Sequence, residues 1–182
     1  MKVAVCVKQI PDPAAPYELD PDTNYVVRPN DQVLDDTDRY GVEVALQLAE
    51  DVGEDATVTL VSMSPSGTLQ GIRQALAMGA DRAIIIDDAT LRGADALSTA
   101  RVLAAAIAED GFDLVIAGTE STDGYAGVMP QQLAELLGVP SLTFARKVER
   151  DGDKIRIERQ TQDGYDVVEA PLPALLTVTS GV

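Results

Sequence analysis

The sequence predicts an α/β domain built on a doubly wound, mostly parallel sheet with an antiparallel meander at its C-terminal end. Three observations carry this. Up to Pro140, short β-branched or apolar runs alternate with longer segments whose apolar residues fall on one helical face. Gly79, Gly111 and Gly138 each follow such a segment, where a helix ends. Beyond that point extended runs are separated by Asp151-Gly152 and Asp163-Gly164, the dipeptides that tight hairpins favour.

Lys2–Val7 is a short apolar run and reads as a buried strand. A polar connection rich in Pro and Asp follows from Pro11 to Leu34, within which Tyr25-Val26-Val27 is expected to form a small strand. Asp35–Asp38 supplies N-cap candidates for a helix running through Asp51, with Val42, Ala45, Leu46 and Ala49 on one face. Thr57–Met63 is the second strand, and Ser64-Pro65-Ser66-Gly67 turns the chain into a helix over Thr68–Met78. Ala83–Ile86 is the third strand, ending at Asp87-Asp88. The strongly apolar Ala96–Ala108 is a helix, Asp113–Ala117 the fourth strand, and Val128–Leu137 a further helix. Thr143–Arg150, Lys154–Gln160 and Val167–Glu169 form the meander, and Leu175–Thr179 a last apolar strand. With no repeat and no low-complexity linker, residues 1–182 read as one domain, of which 143–182 is an extension.

Composition excludes several classes of function. Histidine is absent and cysteine occurs once, so a Cys-His dyad, a Ser-His-Asp triad or a zinc site cannot be assembled from this sequence. The single Cys6 also excludes an internal disulfide. The net charge of −16 repels phosphate backbones and argues against nucleic acid as a partner. The longest apolar stretches fall far short of a bilayer span, and the N-terminus shows no secretory pattern; membrane insertion is not expected and the cytoplasm is.

A doubly wound sheet binds ligands at the carboxyl ends of its strands. The most distinctive of these ends is the loop Gly118-Thr119-Glu120-Ser121-Thr122-Asp123-Gly124-Tyr125-Ala126-Gly127. Its glycines allow close backbone approach, and the helix that follows points free N–H groups back at it, with Pro130 in the first turn where no N–H is needed. Asp123 is a candidate for a helix N-cap or for a ribose hydroxyl. An ordinary tight strand–helix turn explains the same residues, since neither a Walker lysine nor G-x-G-x-x-G is present. Lys8 follows the first strand and stands either near a phosphate or on the surface. Cys6, inside that strand, reads as a small buried hydrophobe.

Several segments together resemble the β subunit of electron transfer flavoproteins, the FixA family. Lys2-Val3-Ala4-Val5-Cys6-Val7-Lys8-Gln9-Ile10-Pro11-Asp12 resembles the family's opening strand and lysine-containing turn. Asp35–Ala45 matches the segment that reads N-P-F/D-x-x-A-x-E-x-A, and Arg73–Ala83 is close to R-x-A-L-A-M-G-A-D-R-A. Ser121-x-Asp123-Gly124, the helix ending at Leu137-Gly138, and Leu172–Thr179 resemble its nucleotide loop, helix and final strand. The resemblance implies an adenine-nucleotide α-hydrolase-like sheet and a heterodimer with an FAD-carrying α subunit. That heterodimer takes electrons from dehydrogenases, such as those of acyl-CoA, and passes them to a quinone oxidoreductase or another acceptor. It implies no catalytic side chain here, and a structural AMP, or a second FAD in bifurcating members.

Carried over by position, the implied nucleotide contacts are Cys6, Lys8, Asp35, Asp38 and Met63, then Gly118, Ser121, Asp123, Gly124, Tyr125, Ala126, Gly127, Val128 and Met129. Adenine would lie against Cys6, Asp35 and Met63, and phosphate against the N–H groups of Gly124–Val128. The sequence departs from the family at Asp35, usually Asn, and at Tyr125 and Val128, where a hydroxyl and an amide are lost. It also ends at Val182, where the family continues into N-E-P-R-Y and a C-terminal arm, so truncation is expected. A universal-stress-type nucleotide binder is the alternative; Gly124-x-x-Gly127 fits it, but Gly138-Val139 lacks the required G-[ST]. An ATP pyrophosphatase is disfavoured, because Lys8-Gln9-Ile10-Pro11 stands where its S-G-G-x-D-S loop belongs.

Overall fold

The computed structural model describes residues 1–64 and 69–182. Its centre is an eight-stranded sheet. In space the strands run β5 (Arg82–Ile86), β4 (Thr57–Met63), β1 (Lys2–Cys6), β6 (Leu114–Gly118), β10 (Ala174–Val178), β7 (Ser141–Asp151), β8 (Lys154–Gln160) and β9 (Tyr165–Pro171). All pairs from β5 to β7 are parallel, and β7–β8–β9 is the expected antiparallel meander. The doubly wound sheet with its antiparallel end is therefore as the alternation predicts.

The helices are α1 (Asp36–Val52), α2 (Gln70–Ala77), α3 (Ala96–Asp110) and α4 (Met129–Leu137). They divide between the two faces because side chains alternate along each strand. Val3, Val5 and Val7 of the first strand and its turn pack with α1 and α2; Ala4 and Cys6 point the other way, toward Leu103, Ile107 and Leu133 of α3 and α4. β6 reads as an unbroken apolar run, and Val58–Ser62 of β4 are all buried, because both faces of the central strands are covered.

Element boundaries shift by one or two residues from expectation. The expected turn over residues 65–67 and the expected helix start at Thr68 lie outside the described residues. The last apolar strand does not follow the meander at the sheet's edge. β10 inserts between β6 and β7, parallel to both, and all five of its residues are buried. The eleven-residue β7 serves two partners: its start pairs with β10, the rest with β8.

The connection after β1 differs most. No strand forms over Tyr25-Val26-Val27; only an isolated Leu19–Val26 bridge appears. Proline at 13, 16, 21 and 29 removes the donors that a ladder would need. The segment is instead tied at its base, where β2 (Gln9–Ile10) pairs antiparallel with β3 (Val33–Leu34). Residues 11–32 thus form a long loop with a closed neck. Among the described residues, no helix is long and apolar enough to cross a membrane.

Candidate functional site

The strand order reverses between β1 and β6. From β1 the chain builds outward through β4 to β5, then α3 carries it back to β6 on the other side of β1. Connecting loops diverge at such a point and leave a crevice beyond the carboxyl ends of the strands. A cleft of about 520 Å³ occupies it, within the range of small-molecule sites. Cys6, Val61, Met63, Leu103 and Ala117 make an apolar floor and wall. Gly118, Ser121, Asp123 and Gly124 make a polar side, and Tyr25 and Arg28 reach in from the loop 11–32.

The starts of α3 and α4 both lie at this cleft, and they differ. At α3, Asp95 is the N-cap and accepts the Ser98 N–H at 2.7 Å, so a carboxylate already faces its positive end. At α4, Val128 holds the cap position and no side chain caps the helix. Helix starts carry backbone donors without intrahelical partners, and an anion fits there. The cleft therefore has one end prepared for negative charge, beside α4, and an apolar end beside β1 and β4.

Buried carboxylates fix the loop after β6. Asp35 caps α1: its Oδ1 accepts the Thr37 N–H at 3.0 Å and the Thr37 hydroxyl at 2.9 Å. Its Oδ2 accepts the Thr122 N–H at 2.7 Å and the Thr122 hydroxyl at 3.1 Å. Asp35 is fully enclosed by these bonds and does not line the cleft, so the wall position implied for it by resemblance is taken by Asp38. Asp38 is buried, and its Oδ2 accepts the Lys8 backbone N–H at 2.6 Å. Burial, with Asp35 nearby, raises its carboxyl well above the ordinary value. Burial, with Asp38 adding to it, pushes the Cys6 thiol up to about 12, which keeps it a neutral, small apolar surface in the floor.

Asp123 corrects an expectation. It neither caps α4 nor stands free for a hydroxyl. Lys8 Nζ lies 2.6 Å from its Oδ1 and Arg28 Nη2 2.5 Å from its Oδ2, and the carboxylate is only 1% exposed. Burial works to raise its pKa, but the hydrogen bonds and charges of Lys8 and Arg28 outweigh this and hold it below the usual value. Lys8 also donates to the Ser121 hydroxyl at 3.1 Å. Lys8 is thus a loop-holding residue as well as a cleft residue.

Of the other residues implied by resemblance, Cys6, Met63, Gly118, Ser121, Gly124, Ala126, Gly127 and Met129 line the cleft. Tyr125 and Val128 do not; both side chains face outward, and Tyr125 has a positive φ of 48°. Gly118 is required by contact: a Cβ there would stand 2.8 Å from Thr37 Oγ1 and 3.0 Å from Asp38 Oδ1. Sequence reasoning missed Arg28, Tyr25 and the approach to α3 from Arg92 to Ala96, with Thr99 in its first turn. Arg28 had one signal, being the sole cation between Pro11 and Gln32 in an acidic stretch. Asp95, immediately before an apolar helical run, was legible as a cap.

Comparison with known proteins identifies the family. A family model described as the electron transfer flavoprotein domain matches residues 23–182. The chain is 39% identical to an electron transfer flavoprotein subunit beta of Clostridium acetobutylicum, over 97% of this chain and 68% of that protein. It is 40% identical to one of Mycobacterium bovis, over 99% of this chain and 70% of the relative. A subunit of the caffeyl-CoA reductase-Etf complex of Acetobacterium woodii, CarD, is 35% identical over 97% of this chain and 68% of its own length.

Proposed function

The chain belongs to the electron transfer flavoprotein β-subunit family, and on that premise we propose that it pairs with an FAD-carrying α subunit while holding an adenine nucleotide in the cleft between β1, β4 and β6. The observation that carries this reading is the pairing of an apolar floor with an uncapped helix start at the switch point of the sheet. An adenine ring matches the first in chemistry and a phosphate the second.

The residues divide by task. Cys6, Val61 and Met63 give the base a dry surface. The N–H groups of Gly124 and Tyr125 already donate to the Ser121 carbonyl, so the phosphate falls to those of residues 126–129 rather than to Gly124–Val128 as a whole, favoured by the α4 dipole. Lys8 and Arg28 hold Asp123, and Asp35 holds Thr122, so the loop is set before the ligand arrives. Gly118 keeps the strand end thin enough for the start of α1 to approach. The nucleotide is AMP, or the AMP half of an FAD.

Redox chemistry is supplied by the flavin when it is bound. Electrons then pass from a dehydrogenase, such as one acting on acyl-CoA, to a quinone oxidoreductase or another acceptor in the cytoplasm. The relative named as part of a caffeyl-CoA reductase complex supports a donor or acceptor of the CoA-thioester class. The test is mass spectrometry and flavin quantitation on the denatured complex with the α subunit. One FAD and one AMP per heterodimer is the expected result, and two FAD would identify the bifurcating form. A complete complex without an adenine nucleotide beyond the α-subunit flavin contradicts the reading.

A further inference from the structure

We propose that the loop over residues 11–32 is a hinged strap across the nucleotide cleft, and that Arg28 is the positioning residue that latches it to the phosphate side at Asp123. The ligand part of this rests on the proposed nucleotide reading; the strap itself does not.

The hinge is the neck. β2 and β3 pair through Gln9–Leu34 and Ile10–Val33, so both ends of the loop leave one fixed point. Beyond the neck the loop buries little of its own surface. Between Pro11 and Gln32, which are buried, every residue is exposed or only partly buried. Its own order comes from local bonds: Asp20 Oδ1 accepts the Thr23 N–H at 2.8 Å, the Asp20 N–H reaches the Tyr25 carbonyl at 2.9 Å, and the Val27 N–H reaches the Glu18 carbonyl at 2.9 Å. A segment that keeps its shape but buries few side chains opens as a unit at low cost.

Among the described residues, contacts on both rims hold it down. On the α3 side Tyr25 packs on Gly93, where a Cβ would stand 2.7 Å from the phenol Cζ. On the loop side Arg28 Nη2 meets Asp123 Oδ2 at 2.5 Å, while Nη1 faces the Gln9 carbonyl at 3.4 Å and Gln32 Oε1 at 3.3 Å. One guanidinium thus joins the neck to the cleft's polar side. Asp123 belongs to the loop proposed to face phosphate, so strap closure and loop geometry are one event. Asp123 retains Lys8 when Arg28 leaves, which lets the latch open without stranding a buried carboxylate.

The test compares wild type with Arg28→Gln, Arg28→Lys and Tyr25→Ala in the full chain. Chymotrypsin cleavage within the strap, at Tyr17, Leu19 or Tyr25 where present, is timed without ligand, and AMP release is timed by competition. Expected are cleavage and release at least about tenfold faster in Arg28→Gln, the size set by losing one charge-assisted contact. Arg28→Lys should recover part of both, Tyr25→Ala should speed release through the other rim, and thermal stability should change little in all three. Unchanged cleavage in Arg28→Gln overturns the latch. Release that is unchanged, or that quickens only in proportion to lost thermal stability, overturns it as well. Wild type that binds no adenine nucleotide removes the nucleotide reading instead, and the cleavage comparison still decides the strap.

Discussion

Asp35 Oδ2 accepts the backbone N–H of Thr122 at 2.7 Å, across 87 residues of sequence. The same carboxylate caps α1. The start of a helix and the loop after β6 therefore share one buried anchor, and the site is built on it.

Replacing Asp35 tests that anchor. Asp35→Ala removes a helix cap, typically worth about 1 kcal/mol, and leaves the Thr122 donors unsatisfied at a further cost of about 1–3 kcal/mol. Asp35→Asn keeps one acceptor and should lose less. Urea denaturation of the two variants checks the order, and equal loss in both would show that the second oxygen is idle.

Gly118→Ala should destabilise by about 1–3 kcal/mol, the usual cost of forcing an atom into a packed site. The new methyl meets Thr37 and Asp38, neither of which is free to withdraw. Gly124→Ala is the control, because its Cβ would find only Ser121 Oγ at 3.6 Å. Thermal melting of both variants, with AMP titration, reads the contrast.

The two buried acids give opposite pH dependences. Asp38 has its pKa raised on folding, so it binds a proton in the folded state that the unfolded chain releases. Its contribution is favourable at low pH and fades as pH rises from the unfolded carboxyl value through the raised folded one. Asp123 has its pKa lowered, so its contribution is present above the unfolded value and is lost as pH falls through the folded one. Asp38→Asn should flatten the decline of stability on the acid-to-neutral side and leave the acid limb; Asp123→Asn should blunt the acid limb. Melting temperatures across pH 3 to 8 separate them.

Cys6 should resist thiol reagents. Its thiol is buried and its pKa lies near 12, so almost no thiolate exists at pH 8. Dithionitrobenzoate should label it only at the rate of unfolding, and rapid native labelling would place it elsewhere.

Much of this was legible in the sequence. The strands, the helices and the meander follow from periodicity and from glycine and Asp-Gly punctuation, which are local signals. The Asp35 cap was legible for the same reason. What was not legible depends on distance. Arg28 and Asp123 are 95 residues apart, and nothing near either announces the pair. Asp123 beside a helix start looked like a cap because local spacing favours caps, but two cations from other elements claimed it first. Asp35 looked like a ligand contact, yet its bonds to Thr37 and Thr122 draw it behind the wall. The placement of β10 between β6 and β7 was open for a similar reason: an apolar run shows that a strand is buried, not which neighbours bury it.

The central claim is that an adenine nucleotide occupies the cleft at the switch point. The four methionines report on it directly. Met63 and Met129 line the cleft, and Met1 and Met78 do not. With the methionine methyl groups isotopically labelled, titration with AMP should move the resonances of Met63 and Met129 in one saturable step and leave Met1 and Met78 in place. Saturating AMP that moves neither Met63 nor Met129, or that moves Met1 or Met78 instead, contradicts the assignment.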